Sequence, residues 1–237
     1  MPFYGSYTGF AGGGVKAPIT FAYTANHSEN SQSTTSVTDS GAALGTAAAN
    51  RQILVGTFAG RSGSGTSLVT GITVAGVTAT ELQQTGRTGG NPFRSCSAIY
   101  IATVPSGTTG DVVVTFSGTQ YDIGIYTIAI YGAASTAFDT GTAQGQASNL
   151  VLSDTVNIPA NGFAIAMVGG SSGSLSNYTW VGLTEGSGTG AEVQGGSTRY
   201  GLAANTDMSV ETGRTIQSTA TGTQNDACLS VVSLAQA

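Results

Sequence analysis

The chain has 237 residues, of which 36 are glycine and only 8% are charged, and its formal net charge is −5. A coiled coil or a helical bundle would be rich in Glu, Lys, Leu and Ala at helical spacing, and that pattern is missing. An ordinary disordered tail would be more charged and less apolar than this chain, in which 40% of the residues are hydrophobic. The seven basic residues stand singly, so the clustered positive charge that nucleic-acid binding requires is missing. We expect no nucleic-acid partner, and either one large all-β domain or two small ones.

Residues 1–18 differ from the rest of the sequence because glycines are interleaved with aromatic residues. Glycine makes a segment flexible, whereas aromatic side chains are costly to leave in water. Two interpretations are open: a frayed terminus, or an arm that docks onto a neighbouring subunit. The candidate interaction residues of this arm are Phe3, Tyr4, Tyr7 and Phe10.

Targeting signals are missing from the sequence as it begins. Met1–Ser6 lacks the basic region and apolar run of a secretion signal. The most apolar stretch, Ile123–Ala134, is too short to span a bilayer. We therefore expect synthesis in the cytoplasm without a signal peptide, and no membrane partner.

From Pro18 onwards, short apolar segments alternate with glycine- and serine-rich turns. Val112–Phe116 alternates between apolar and polar residues, whereas Arg51–Phe58 and Ile123–Tyr131 are apolar on both faces. The latter two predict central strands that are covered on both sides. With no convincing helical periodicity, the sequence predicts an all-β fold with almost no helix. We expect an antiparallel β-sandwich with jelly-roll-like topology, and an internally duplicated sandwich is a variant of it.

A weak internal repeat favours that variant. Residues 53–63 resemble residues 163–173, and Thr80-Glu81 and Thr184-Glu185 end the following strand in each half. An aromatic strand comes next, with Tyr100 in one half and Tyr200 in the other. Chance similarity in so biased a composition is the competing explanation.

The domain division depends on the linker. We prefer a single sandwich domain, 19–237, over the halves 19–134 and 149–237, because no Pro-rich or charged linker separates them. The stretch Thr136–Ser148 is the nearest thing to a linker.

Nucleophilic chemistry has few candidates. Cys96 and Cys228 lie in strand-like segments, where two buried thiols are the main interpretation and a cross-strand disulfide is the alternative. The single histidine, His27, stands in a polar segment without a nucleophile motif, so we interpret it as a loop residue. Two cysteines and one histidine at these spacings match no zinc pattern.

Acidic chemistry is weakly supported as well. Glycosidases need two carboxylates that face each other across a sugar, and only the repeat singles out Glu81 and Glu185. Other acids, such as Asp207 and Glu211, are isolated from one another in the sequence. We expect no catalytic residue, no cofactor and no metal ion.

One aromatic pair is a candidate carbohydrate platform. Tyr178 and Trp180 share a face by strand alternation, and exposed rings could stack on a sugar. The competing interpretation is that the lone tryptophan packs between the sheets.

Several segments resemble β-rich virion proteins of tailed bacteriophages and prophages. These segments are Arg51–Gly56, Ser97–Tyr100, Val104–Thr115 and Ile125–Ala133. The resemblance covers mainly residues 50–134, and its motifs are compositional. It implies a non-enzymatic component of the particle, located in the virion as a decoration (cement), head-fibre or tail protein, and it carries over no functional residue.

The leading hypothesis from the sequence is therefore a capsid decoration protein on the outer surface of the head. Its expected partners are the major capsid protein or other virion proteins, and other copies of itself in a homo-oligomer. Threefold lattice sites favour a trimer. The alternative is a carbohydrate-binding module or a receptor-binding tail or head-fibre domain, and a hydrolase comes third.

Overall fold

A computed structural model describes residues 16–30, 33–62, 67–86, 93–148, 150–171, 175–195 and 198–237. These residues form 18 strands and one short 3-10 helix, Gly188–Gly190. In chain order the strands are β1 (Thr20–Glu29), β2 (Thr34–Ala43), β3 (Arg51–Ser62), β4 (Val69–Val74), β5 (Val77–Thr78), β6 (Thr80–Gly86), β7 (Phe93–Thr103), β8 (Thr109–Gln120), β9 (Asp122–Tyr131), β10 (Asp139–Ser148), β11 (Val151–Ile158), β12 (Gly162–Ser171), β13 (Thr179–Val181), β14 (Thr184–Glu185), β15 (Val193–Gly195), β16 (Thr198–Met208), β17 (Glu211–Thr219) and β18 (Thr223–Leu234). The predicted all-β fold with almost no helix is confirmed.

The strands form four antiparallel sheets. The first sandwich consists of a first outer sheet, in the order β2-β8-β4-β5, and a first inner sheet, in the order β1-β9-β3-β7-β6. The second sandwich consists of a second inner sheet, β10-β18-β12-β16-β14 with β15 beside β16, and a second outer sheet, β11-β17-β13. Each sandwich thus has jelly-roll strand order, as predicted.

Three apolar cores hold the sheets in four layers. One core lies between the two sheets of the first sandwich, and includes Ile53 and Val114. A second lies between the two sheets of the second sandwich, and includes Val168 and Ile216. The third joins the two inner sheets to each other, and includes residues such as Phe58. Each inner sheet is therefore covered on both faces.

This layering explains the strands that are apolar on both faces. In β9, the eight residues between Asp122 and Tyr131 are all buried. Ile125 packs against the first outer sheet, whereas Ile128 packs toward the second sandwich. The prediction that Arg51–Phe58 and Ile123–Tyr131 are central strands is confirmed.

The two sandwiches repeat one strand order, but the predicted alignment is wrong by one residue. Ile53 and Ala164 each face their own outer sheet, whereas Phe163 faces the opposite sandwich. Ala164 therefore occupies the position of Ile53. With this shift Glu81 and Glu185 stay equivalent, because they pair with residues at matching positions of β7 and β16.

The proposed Tyr100 and Tyr200 equivalence fails. Tyr100 faces the first outer sheet and packs in its core. Tyr200 points away from its own outer sheet, toward the first sandwich, and packs in the core between the two inner sheets. Since one ring faces its own outer sheet and the other faces the opposite sandwich, Tyr100 and Tyr200 are not repeated positions.

The interface between the inner sheets combines large rings with glycines. A Cβ at Gly169 would overlap the ring of Phe58, and one at Gly124 would overlap the ring of Tyr200. Elsewhere at this interface the Ser97 and Ser230 hydroxyls lie 2.9 Å apart. Close packing of the two sandwiches thus depends on small residues, glycine and serine, at specific positions of the interface.

The stretch Thr136–Ser148 is not a linker over most of its length. Asp139–Ser148 forms β10, which pairs with β18 along its length. The strands of the second sandwich therefore begin at Asp139 and not at 149.

Candidate functional site

The predicted arm can be followed only at its end. Phe3, Tyr4, Tyr7 and Phe10 lie outside the described residues. The described chain begins at Lys16, whose Nζ donates a hydrogen bond of 3.2 Å to the carbonyl of Gln236. The Gln236 side chain in turn donates to the carbonyl of Ala17, at 3.0 Å. These contacts fasten the base of the arm to the last residues of the chain.

The predicted carbohydrate platform requires a correction. Tyr178 is only 2% exposed, and its hydroxyl is directed toward the carbonyl of Arg199 at 3.4 Å. Trp180 is half-buried and packs against the core of the second sandwich. The two side chains share a face as expected, but it is the inner face, so Tyr178 offers no ring to a sugar.

His27 lies on β1 among carboxylates and not in a loop, so that interpretation is wrong. Its Nε2 is 3.1 Å from Glu29 Oε1, and its Nδ1 is 3.9 Å from Asp39 Oδ1. Burial raises the pKa of Asp39, His27 lowers it, and Asp111 raises it further. The contacts of the imidazole with these described carboxylates link β1 to β2. They do not form a pair of nucleophile and general base.

Glu81 and Glu185 lie on edge strands of different sheets. Glu81 accepts hydrogen bonds from the Tyr100 hydroxyl at 2.8 Å and from Gln84 at 3.1 Å. Burial and this carboxylate together raise the pKa of Tyr100. The Glu81 carboxylate thus has a structural role in the first sandwich.

The cysteines are free thiols, which confirms the main interpretation and not the disulfide. Cys96 faces the first outer sheet, and burial raises its pKa to about 11. Cys228 lies at the inner interface, with its Sγ 3.3 Å from Ser95 Oγ. A thiol that stays protonated is a poor nucleophile.

The described part of the chain contains no group of three or more His, Cys, Asp or Glu side chains placed to hold a metal ion. None of its helices is long and apolar enough to cross a membrane.

Arg51 is a buried residue whose role the sequence did not indicate. It is fully buried, and its guanidinium donates five hydrogen bonds of 2.7 to 3.0 Å to backbone carbonyls. The acceptors are Leu44, Gly45, Val104, Ser106 and Gly107. The side chain fastens two loops at one end of the first sandwich. The available sequence signal for this role was an arginine at the first position of a strand that is apolar on both faces.

A buried ion pair was missed as well. Glu192 accepts a short hydrogen bond from Arg199 and another of 2.6 Å from the backbone N–H of Tyr178. Burial raises the pKa of Glu192, while Arg199 and the Tyr178 amide lower it. The pair fixes β15 and β16 to the segment before β13.

The outer faces of the two outer sheets carry rows of uncharged side chains. In the first outer sheet, Thr38, Val113 and Thr73 lie side by side across three strands. In the second outer sheet, Ser153, Gln217 and Val181 do the same, and Val181 is 53% exposed. Surfaces with few charges are typical of the centre of protein interfaces.

Comparison with solved structures gives faint likenesses to virus structures. Cucumber Leaf Spot Virus shares 10% identity over 98% of this chain and 97% of that chain, with a TM-score of 0.23. The X-ray structure of Melon necrotic spot virus shares 8% identity over 90% and 95% of the two chains, with a TM-score of 0.21. The cryo-EM structure of the Sputnik virophage shares 7% identity over 98% and 88%, with a TM-score of 0.19.

No protein-family model and no curated protein matches this chain. The class of the protein is therefore defined by its own topology: two jelly-roll sandwiches packed through their inner sheets.

Proposed function

We propose that this chain is a non-enzymatic structural protein of a tailed-bacteriophage virion, and that it decorates the outer surface of the head as a homotrimer. The observation that carries the proposal is the pair of outer faces. Each carries a row of uncharged side chains across its strands, with Asp111 as an exposed charge beside the first row, on a sandwich with its own packed core. Such rows suit contact with a repeating protein lattice, since these uncharged side chains can be buried without leaving charges unpaired.

Two further considerations support this proposal. Jelly-roll sandwiches occur in viral capsid proteins and in lectins, although a fold alone does not define a function. The sequence segments between residues 50 and 134 resemble phage virion proteins. Both considerations favour a particle component over an enzyme.

Threefold assembly and the arm complete the proposal. Copies on a symmetric shell favour closed cyclic oligomers, and a trimer would present three arms to the lattice. Linked contacts raise occupancy without new chemistry at any one of them. In the assembled state, Phe3, Tyr4, Tyr7 and Phe10 would contact a neighbouring subunit.

Mass spectrometry of purified particles tests the virion assignment. The chain should be present in particles at a copy number that is a multiple of three.

Deletion of residues 2–14 tests the arm: the shortened protein should fold but decorate particles poorly. Full occupancy by the shortened protein would overturn the role of the arm, and absence of the chain from particles would overturn the assignment itself.

Glycan arrays and hydrolase assays test the other classes. Binding of a defined glycan without particle association would favour a carbohydrate-binding or receptor-binding domain. Polysaccharide cleavage that disappears in Glu81→Gln or Glu185→Gln would overturn the non-enzymatic proposal.

A further inference from the structure

A cleft of about 340 Å³ opens on the first sandwich, beside the segment that connects β9 of the first sandwich to β10 of the second. Its apolar wall comes from Val77, Ile101 and Ala102. Hydroxyl side chains, which include Thr103, Ser135 and Thr136, form the rest of the lining, and none of the described lining residues is charged. Such a cleft suits an uncharged, largely apolar group with the size of one or two side chains.

The rim of the cleft exposes apolar surface. Val77, which lines the cleft together with Ile101 and Ala102, is 39% exposed. Apolar side chains that lie together in water are unfavourable unless a further group covers them. The cleft therefore has the character of a docking site.

The arm leaves the described fold next to this cleft. Ala17 is bonded to the Gln236 side chain, and Gln236 forms a β-bridge with Ala133. Ser135, in the cleft lining, follows that bridge along the same segment. The carbonyl of Ala17 also lies beside Gly132, where an added Cβ would come within 3.5 Å of it. The three residue steps from Gly132 to Ser135 extend over at most about 10 Å, so the base of the arm lies near this end of the cleft.

The composition of the arm matches the cleft. Residues 1–15 contain no charged side chain, and Phe10 is the aromatic residue nearest to Lys16. Six residues can extend over about 20 Å, which is enough to return from Lys16 to the cleft. Between Phe10 and Lys16 stands Gly12-Gly13-Gly14, a sequence that allows the chain to turn back sharply.

We propose that, in the free protein, the arm folds back and places Phe10 in the cleft of its own chain. The short connection gives the arm a high effective concentration at this cleft, far above that of the arm of another copy in dilute solution. The inference goes beyond the proposed role on the virion, because it concerns the protein before assembly. In the free protein the arm would cover Val77, and its aromatic residues would be kept from premature contacts with other copies.

Disulfide trapping tests this placement in the purified full-length protein. The double variant Ala11→Cys with Val77→Cys should form a disulfide within one chain under mild oxidation. The control pairs Ala11→Cys with Val181→Cys, since Val181 is 53% exposed but lies on the second outer sheet. Trapping at Val77 should be at least about tenfold faster than in the control. The natural cysteines are buried and should not compete.

Two additional variants separate Phe10 from a general approach of the arm. Phe10→Ala in the Ala11→Cys, Val77→Cys protein should slow trapping about tenfold, because the anchoring ring is lost. In a protein without added cysteines, Val77→Asp should speed chymotrypsin cleavage after Phe10, since a charged rim repels the apolar arm.

Several outcomes would overturn the proposal. Equal trapping rates at Val77 and Val181, or no effect of Phe10→Ala, would show that the cleft does not hold Phe10. A disulfide between two chains on a denaturing gel would assign the cleft to the arm of a neighbouring copy. None of these measurements involves particles, so their failure is distinguishable from failure of the virion assignment.

Discussion

The two sandwiches share a strand order but are fastened by different polar contacts. In the first sandwich, Asp39 of β2 faces the imidazole of His27 at 3.9 Å, and its Oδ2 is buried without a partner among the described residues. In the second sandwich, Asp154 of β11 accepts hydrogen bonds from the backbone N–H groups of Thr142 and Thr155, at 2.6 and 2.8 Å. The jelly-roll order thus depends on the apolar pattern, and the polar contacts can vary around it.

The beginnings of β3 and β12 differ in the same way. Arg51 begins β3 and satisfies five carbonyls of two loops. At the matching position of β12 stands Gly162, in a tight turn where its N–H donates to the carbonyl of Pro159 at 3.0 Å. One sandwich ties long loops with a buried cation, whereas the other shortens the connection.

The largest expected effect comes from breaking the Arg51 contacts. Arg51→Met should destabilise the protein by at least about 3 kcal/mol, because five backbone carbonyls, those of Leu44 and Val104 in buried contacts, lose their donor. Urea unfolding followed by circular dichroism would measure the change. The control is Arg214→Met, which removes a partly exposed ion pair with Glu211 and one hydrogen bond to the carbonyl of Gly182, and which should cost only about 1 kcal/mol. Similar losses in both variants would contradict the special role of Arg51.

Filling the interface between the sandwiches should have the next largest effect. Gly169→Ala places a methyl group against the Phe58 ring and should cost about 1–3 kcal/mol. Gly60→Ala is the matched control, since its Cβ would meet nothing nearer than the Phe58 ring edge at 3.8 Å. Thermal unfolding would compare the two variants. Adding Phe58→Leu to Gly169→Ala should recover part of the loss, and failure to do so would show that the clash lies elsewhere.

The two aspartates should respond to the same substitution with opposite signs. Asp154→Asn removes charge-assisted hydrogen bonds to two backbone N–H groups and should cost about 1–2 kcal/mol at neutral pH. Asp39→Asn should instead raise stability at neutral pH. Burial raises the pKa of Asp39, so its neutral form favours folding, and that contribution is lost as pH rises through the folded-state pKa.

Urea midpoints between pH 7 and pH 3.5 would check the sign. The advantage of Asp39→Asn should shrink as pH falls toward the ordinary aspartate pKa of 3.8, where the wild-type carboxyl becomes protonated. His27, Glu29 and Asp111 are the other titratable groups around this position. A gain that does not depend on pH would show that the charge of Asp39 is not its cause.

The smallest expected effect comes from making the first sandwich more like the second. Thr127 is fully buried, and its hydroxyl has no partner among the described residues. The matching residue of β18 is Val231, because Val55 and Ala166 pair with these two residues at corresponding positions. Thr127→Val should therefore raise stability by about 1 kcal/mol, measured by urea unfolding. A loss would indicate a hydrogen bond that the Thr127 hydroxyl makes in solution.

The sequence predicted what depends on long apolar patterns. β3 and β9 were recognisable as central strands, because a sheet covered on both sides needs apolar residues at every position. The same property concealed the register of the repeat: when both faces are apolar, a shift of one residue changes the facing of every side chain without changing the pattern. Hence Phe163 was matched to Ile53 in place of Ala164.

Features set by tertiary contacts could not be found in this way. Alternation placed Tyr178 and Trp180 on one face, but it does not say which face is inside. β10 was taken for a linker because its glycine, serine and glutamine residues carry no apolar signal, although pairing with β18 fixes it as a strand. The cleft beside Val77 depends on three separate segments that meet only in the folded chain.

The contact of Phe58 with Gly169 also bears on mispairing. Because the two residues occupy matching positions of β3 and β12, a pairing of two like sandwiches through these faces would bring each residue against its own counterpart. If two first sandwiches from different copies met in this way, two phenylalanine rings would collide. If two second sandwiches met, two glycines would leave a void. The knob in one sandwich and the hole in the other therefore favour unlike over like pairing, which protects a chain with two similar units from joining the wrong halves of its neighbours.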